Sequence, residues 1–359
     1  MKALVLVGGE GTRLRPLTYD VPKPMLPVVE RPMIARIVEW LGHYGVTDVV
    51  FSLGYRPSAF VDAFPEGRWA GVRLHYAVEP ERLDTAGAIR FGASAAGIGD
   101  DTFIVVNGDV LTNLDLGELM AAHRRHRGEA TIALTPVDDP SAYGVVPTDD
   151  DGRVLAFIEK PPRDEAPTNL VNAGTYVLEP AALRRIPPGR RVSIEREIFP
   201  ELVADRTLFA MASEAYWLDT GTPERYLKAQ DDVLRGTRPD VAFPECTEQR
   251  PGVRLAPGAV LDGEAVSAAF LGCGAHIAAG AAVGDAVIGA GGIVEAGARV
   301  VGSVLLPGAV VREGADVLNS VVGPGAVIGH GASVAGYSVL GAGVEVAAGA
   351  VLDSARLPV

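Results

Sequence analysis

The chain has 359 residues, a net charge of −13 and 48% hydrophobic residues, which fits a globular protein too long for one hydrophobic core, so two domains are expected. So acidic a chain lacks the basic surface that general nucleic-acid binding needs, and anionic ligands must be met by local clusters of Lys and Arg. Two cysteines, Cys246 and Cys273, exclude a disulfide framework or a zinc site and read as small packing residues. The short apolar run at the amino terminus argues against a secretory signal, no stretch approaches a membrane span, and a reducing cytoplasm is the expected location.

Residues 3–7 are apolar without alternation, the pattern of a strand buried on both faces of a parallel sheet. The run ends in a glycine-rich turn, GGEGTR, where Gly8, Gly9 and Gly11 can adopt positive φ and bring backbone N–H groups close to phosphate oxygens. Arg13 and Arg15 add charge there, and Lys23 comes next within a stiff Pro-Lys-Pro that cannot be helical at its centre. A P-loop requires Lys-Ser/Thr after its last glycine and a dinucleotide fingerprint requires G-x-G-x-x-G; neither is present.

Further along, MIARIVEWLGHYG and LGELMAAHRRHRG read as helices, while VTDVVFSLG, VRLHYAVE, TFIVVNGD and ATIALTPV read as strands. The alternation implies an α/β domain with a largely parallel, Rossmann-like sheet, whose ligands bind beyond the carboxyl ends of the strands, where Gly8, Glu79 and Asp109 fall. His123 and His126, among Arg124, Arg125 and Arg127, read as a solvated helix face. The stretch 235–251, rich in proline and charge, reads as a linker between a first domain at 1–234 and a second at 252–359.

In the second domain aliphatic residues recur every six positions in groups of three, such as Leu271, Ile277, Val283 and then Ile288, Val294, Val300, each group beginning about seventeen residues after the last. Glycines come three residues later in most hexads: Gly274, Gly280, Gly291, Gly297, Gly308, Gly314, Gly325, Gly331, Gly343 and Gly349. This period matches hexapeptide repeats of a parallel β-helix, three hexads to a triangular coil, with stability arising from stacked coils. Leu255 and Leu261 suggest one less regular coil at the start.

GGEGTRLRPLT with PKPMLPV, and then NGDV, YGVV, FIEKP, NAGTYVLEP and WLDTG in that order, resemble the sugar-phosphate nucleotidyltransferases. The resemblance covers residues 1 to about 234 and is most like the mannose-1-phosphate guanylyltransferase branch that carries a C-terminal left-handed β-helix. It implies an enzyme that joins a nucleoside triphosphate to a sugar 1-phosphate. Arg13, Lys23 and Lys160 would be catalytic cations, and Leu6, Gly8, Gly9, Gly11, Thr12, Arg13, Lys23, Glu79, Gly87 and Asn107 would bind the nucleotide. Gly144, Glu159, Lys160, Asn172 and Gly174 would bind the sugar phosphate.

Both reactants are anions, so the protein's task is alignment and charge stabilisation. Magnesium uses one or two carboxylates plus substrate phosphates; Asp109 is a candidate at the end of an apolar strand, and Asp219, the acid of WLDTG, is its expected partner. No general base is required, because a phosphate monoester is already ionised near neutrality. Glu79 suits the two N–H donors of guanine and so favours GTP with mannose 1-phosphate, although uracil-using relatives also carry Glu there. Asp84 stands where the family more often has glycine, leaving UTP, dTTP or ATP with another sugar or cyclitol phosphate open. A silent regulatory paralogue would have lost Arg13, Lys23, Asp109, Lys160 or Asp219, and all are present. An acyltransferase β-helix would have only His276 and His330 to draw on. The expectation is a cytoplasmic, magnesium-dependent homo-oligomer assembled through the β-helix.

Overall fold

The computed structural model describes residues 1–54, 56–238 and 240–358. Two compact units emerge: Met1–Gly9 with Ile34–Trp217, and Glu10–Met33 with Leu218–Val359. The second unit therefore combines residues 10–33, which begin inside the glycine-rich turn, with the repeats.

The first unit is built on a ten-stranded sheet. Across its centre Phe103–Asn107, Lys2–Leu6, Asp48–Leu53 and Val72–Val78 run parallel. Leu170–Leu178 joins antiparallel beside Phe103–Asn107 and also pairs with Ala130–Pro136. The expected helices form at Met33–His43 and Leu116–His126. A third helix, Asp84–Ala95, packs beside the parallel strands, with Ala86, Ile89 and Ala93 in the same buried cluster as Leu4, Val50 and Val105. In Lys2–Leu6 apolar and polar residues do not alternate: three successive residues, Ala3, Leu4 and Val5, are fully buried, as a strand covered on both faces requires.

Two sequence expectations change here. His123 is only 3% exposed: its Nδ1 lies 2.8 Å from Thr131 Oγ1 and its Nε2 2.9 Å from Glu179. His126 stacks on Phe209 with ring centroids 4.6 Å apart, and burial lowers its pKa. The two imidazoles, three residues apart, share the inward stripe of their helix with Leu116, Leu119 and Met120, while Arg124 and Arg125 face water. Cys273, expected as a packing residue, is exposed.

In the second unit, three sheets carry the repeats, with every repeat strand parallel to the next, an architecture consistent with a left-handed β-helix. Leu271, Ile288, Leu305, Val322 and Leu340 stack in one sheet, Ile277, Val294, Val311 and Ile328 in the next, and Val283, Val300, Val317 and Val334 in the third, all fully buried. The ten hexad glycines all have φ between 61 and 78°. Most have open space where a Cβ would stand, so it is the left-handed corner that selects glycine there. The remaining corner carries a serine ladder: Ser303 and Ser320 are buried, and the Ser320 N–H donates to Ser303 Oγ at 3.0 Å. Val253–Leu255 and Val260–Leu261 form the irregular first coil. Within 235–251, Thr247–Arg250 is not linker but a strand antiparallel to Val253–Leu255.

The sheet containing Ile288 and Leu305 is buried on its outer face too: Val287, Val304, Val321 and Val339 alternate with the shaft residues and are at most 3% exposed. Residues 16–32 and the helix Pro223–Leu234 belong to this same unit, with Pro16 in contact range of Gly341 and Glu30 bonded to Ala290. No helix among the described residues is long and apolar enough to cross a membrane.

Candidate active site

In the first unit the expected residues gather at the carboxyl ends of the parallel strands. Asn107, Leu6, Ser52 and Ala77 lie in one row across four strands, and Gly8 and Glu79 stand just beyond. Glu79 is held from two sides: Ser52 Oγ lies 3.1 Å from its Oε1, and the Leu83 N–H donates to its Oε2 at 3.1 Å. Each carboxylate oxygen keeps a second lone pair for a ligand donor. A Cβ on Gly8 would sit 3.8 Å from Glu79 Oε1, whereas Gly9 is exposed with open space around it. Gly87 is buried, and a Cβ there would lie 2.5 Å from the Arg190 carbonyl; its N–H already donates to Val192, so the structure gives it a packing contact.

Asp109 follows Gly108, whose N–H donates to the Leu6 carbonyl at 2.9 Å. Asn107 packs on Gly174, where a Cβ would come within 2.7 Å of Asn107 Nδ2. Gly174 has φ 72° and sits in a bulge where the register of Leu170–Leu178 shifts between Asn172 and Tyr176. That bulge is pinned three times: Asn172 Oδ1 accepts the Gly174 N–H, Asn172 Nδ2 donates to the Tyr176 hydroxyl, and Trp217 Nε1 donates to the Ala173 carbonyl at 2.8 Å.

Gly144 pairs across strands with Glu159, and a Cβ on Gly144 would lie 2.6 Å from the Phe157 ring. Lys160 has φ 50°, and its Nζ lies 3.0 Å from Glu159 Oε1. Its side chain is 58% exposed, so the pair is open to a ligand and worth little to stability by itself.

In the second unit Gly11, with φ 62°, is the only one of the three turn glycines in the left-handed region. It lies against Thr18 and Lys23, and Thr18 Oγ1 donates to the Gly11 carbonyl at 2.9 Å. Thr12 and Arg13 lie on an exposed 3-10 turn. Three cations converge on Asp219: Lys23 Nζ at 3.2 Å, Arg225 Nη1 at 3.4 Å and Arg13 Nη2 at 3.9 Å. The cluster brings three cations to one carboxylate, a concentration of positive charge that a polyphosphate can meet.

A model of the family described as "Nucleotidyl transferase" matches residues 2–236 of the 359. The chain belongs to the nucleotidyl transferase family. A second model, "GMPPB C-terminal domain", matches residues 250–358. This nucleotidyl transferase is 41% identical to a mannose-1-phosphate guanylyltransferase of Mycobacterium tuberculosis over 77% of each chain. It is 39% identical to a mannose-1-phosphate guanyltransferase of Schizosaccharomyces pombe over 73% of each chain. Among solved structures, HddC from Yersinia pseudotuberculosis in complex with GMP-PN is 30% identical, with a TM-score of 0.56, covering 65% of this chain and 99% of that one.

Two contributors were not singled out in the sequence of this nucleotidyl transferase. Arg225 stands in the first turn of the helix Pro223–Leu234, six residues after Asp219; its place beside the WLDTG acid was the available signal. Ser52, the residue that orients Glu79, is fully buried inside an apolar strand and offered none.

Asp84 takes φ 61°, which explains why glycine suits the position. Its carboxylate accepts the Thr85 N–H at 2.9 Å and lies 3.6 Å from Arg191 Nε, so its charge is answered locally. Asp84→Gly is expected to raise stability by about 0.5–1 kcal/mol with turnover retained, relief of the left-handed strain exceeding the extra chain entropy of glycine. A lowered thermal midpoint would contradict this.

Proposed function

We propose that this chain transfers GMP from GTP to mannose 1-phosphate, releasing pyrophosphate and forming the nucleotide-sugar. The observation that carries the reading is the similarity to mannose-1-phosphate guanylyltransferases over about three quarters of both chains. It is supported by the cationic cluster around Asp219 and by Glu79, an acceptor held ready for the paired N–H donors of guanine. A solved relative with a guanine nucleotide analogue points the same way.

In this reading a phosphate oxygen of mannose 1-phosphate attacks the α-phosphorus, a new O–P bond forms, and the bond to the β-phosphate oxygen breaks. Arg13, Lys23 and Arg225 offset the charge of the triphosphate and of the departing pyrophosphate. Leu6, Gly8, Gly9, Gly11, Thr12 and Asn107 line the nucleotide, and Glu79 reads its base. Lys160 holds the sugar phosphate while Glu159, Asn172 and the backbone at Gly144 and Gly174 meet the sugar hydroxyls.

Asp109 and Asp219 are the ligands assigned to Mg2+. No cluster of three or more His, Cys, Asp or Glu side chains suited to a metal occurs among the described residues. The donor chemistry fits a hard cation that takes one or two carboxylates and completes its shell with water and substrate phosphate. When bound, the ion neutralises phosphate charge and favours in-line geometry. The reading includes a cytoplasmic setting and homo-oligomer assembly through the β-helix.

The test is magnesium-dependent pyrophosphate release across a matrix of nucleoside triphosphates and sugar 1-phosphates. GTP with mannose 1-phosphate is expected to have the highest kcat/KM. A higher value for another pair reassigns the substrates, and no turnover for any pair overturns the enzymatic reading.

A further inference from the structure

Pro27–Val28 and Arg31–Pro32 form a small antiparallel hairpin, closed by Val29 at φ 46° and Glu30 at φ 60°. Two successive positive φ values make the tight turn that Asn-Gly adopts readily. Here a β-branched residue and a glutamate occupy it, a conformation that survives only where the surroundings enforce it.

The enforcement comes from two sides. From the helix Pro223–Leu234, Gln230 accepts the Val29 N–H at 2.7 Å and donates to the Pro27 carbonyl at 2.9 Å, and the Tyr226 hydroxyl donates to the same carbonyl at 2.5 Å. Gln230 is 2% exposed and Val29 fully buried. From the β-helix, the Ala290 N–H donates to Glu30 Oε1 at 2.6 Å. Gly272 leaves room for this contact, since a Cβ there would overlap the Glu30 carboxylate. Partial burial pushes the Glu30 carboxyl's pKa up, and the bond from Ala290 only partly offsets it.

The hairpin also borders a cavity of about 460 Å³ whose lining includes Leu17, Val21, Leu26, Val287 and Leu306. The hairpin is tied to the coils by a specific polar contact, the Glu30–Ala290 bond, as well as by packing. What it steadies is close in sequence: Lys23 lies four residues before it, and the helix that grips it carries Arg225, a partner of Asp219, in its first turn.

We propose that the clamped hairpin positions Lys23, with Glu30 and Gln230 as positioning residues, so that the β-helix is part of the catalytic apparatus of its own chain through the Ala290 amide. This rests on the reading that Lys23 meets the triphosphate of GTP. The fold would then explain why residues 10–33 and the repeats form one unit.

The test is a double-mutant cycle in the full chain, followed as kcat, KM and, by calorimetry, the Kd for GTP. Glu30→Ala is expected to lower kcat/KM for GTP by roughly tenfold to a hundredfold, the scale of a small misplacement of a reacting group. In a Lys23→Ala background the same change is expected to cost little more, because its effect passes through Lys23. Glu30→Gln, which keeps an oxygen for Ala290, is expected to restore near wild-type kcat/KM. Should Glu30→Ala fail to fold, Glu30→Asp, whose shorter side chain draws the carboxylate back from the Ala290 amide, carries the same cycle. Wild-type kinetics in Glu30→Ala, an equal loss with and without Lys23, or no rescue by Glu30→Gln overturns the clamp. Absence of GTP turnover in the unmodified protein would instead overturn the function it rests on.

Discussion

Asp219→Ala is expected to lower GTP turnover by about a thousandfold or more and to destabilise the fold at the same time. The carboxylate lies 3.2 Å from Lys23, 3.4 Å from Arg225 and 3.9 Å from Arg13. Its side chain is 15% exposed and that of Lys23 only 6%. Removing it weakens the charge balance of three neighbouring cations and takes one ion-pair partner from a buried ammonium, which costs on the order of 1.5–3 kcal/mol. Losing a charge proposed to align the reacting phosphates costs on the order of a hundredfold to a thousandfold, and loss of the proposed metal ligand adds to it. Asp219→Asn separates the two effects. It keeps the shape and an acceptor oxygen, so the thermal midpoint should recover most of the loss while pyrophosphate release stays as low as in the alanine variant. Turnover within about tenfold of wild type in Asp219→Asn would remove Asp219 from the mechanism.

The second large effect is expected at Gly108→Ala, a residue to which no binding role is assigned. A Cβ there would overlap Val7 Cγ1, lie 2.8 Å from the Leu6 carbonyl oxygen and 3.2 Å from Val5 Cγ1. These contacts belong to the central strand of the sheet, with Val5 fully buried and Val7 2% exposed, so the strand cannot yield cheaply. Overpacking of this kind costs about 1–3 kcal/mol. The chain carrying Asp109 must move instead, and a displacement of about 1 Å at a group proposed to hold the metal can cost about a hundredfold. Circular dichroism should report a folded protein with a lower midpoint, and the loss should appear in kcat more than in KM for GTP. Unchanged kcat would show that Asp109 does not depend on the close approach at Gly108.

Much of the architecture was legible because its signals are local and periodic. The six-residue period named the shaft residues, and the ten glycines it picked out are those that turn the corners with positive φ. The apolar run at residues 3–7, the strand patterns and the two amphipathic helices formed close to their expected bounds for the same reason. Site motifs with unusual backbone demands were legible too: Gly174 lies in a bulge and Gly144 against an aromatic ring, each needing a missing side chain.

Other features required the folded chain. His123 and His126 looked solvated because their neighbours are arginines, yet burial follows the helical stripe and the partners waiting there, Thr131, Glu179 and Phe209. Ser52 orients Glu79 from 27 residues away, across adjacent parallel strands.

The sequence by itself determined the family and the β-helix, because short motifs and a fixed period specify backbone shape and chemistry within a few residues. Only the tertiary structure decided which groups act on one another. Asp219 meets Lys23 from 196 residues away, and Glu30 meets Ala290 across 260. Contacts at such separations leave no periodic trace in the chain, since they depend on how whole elements pack.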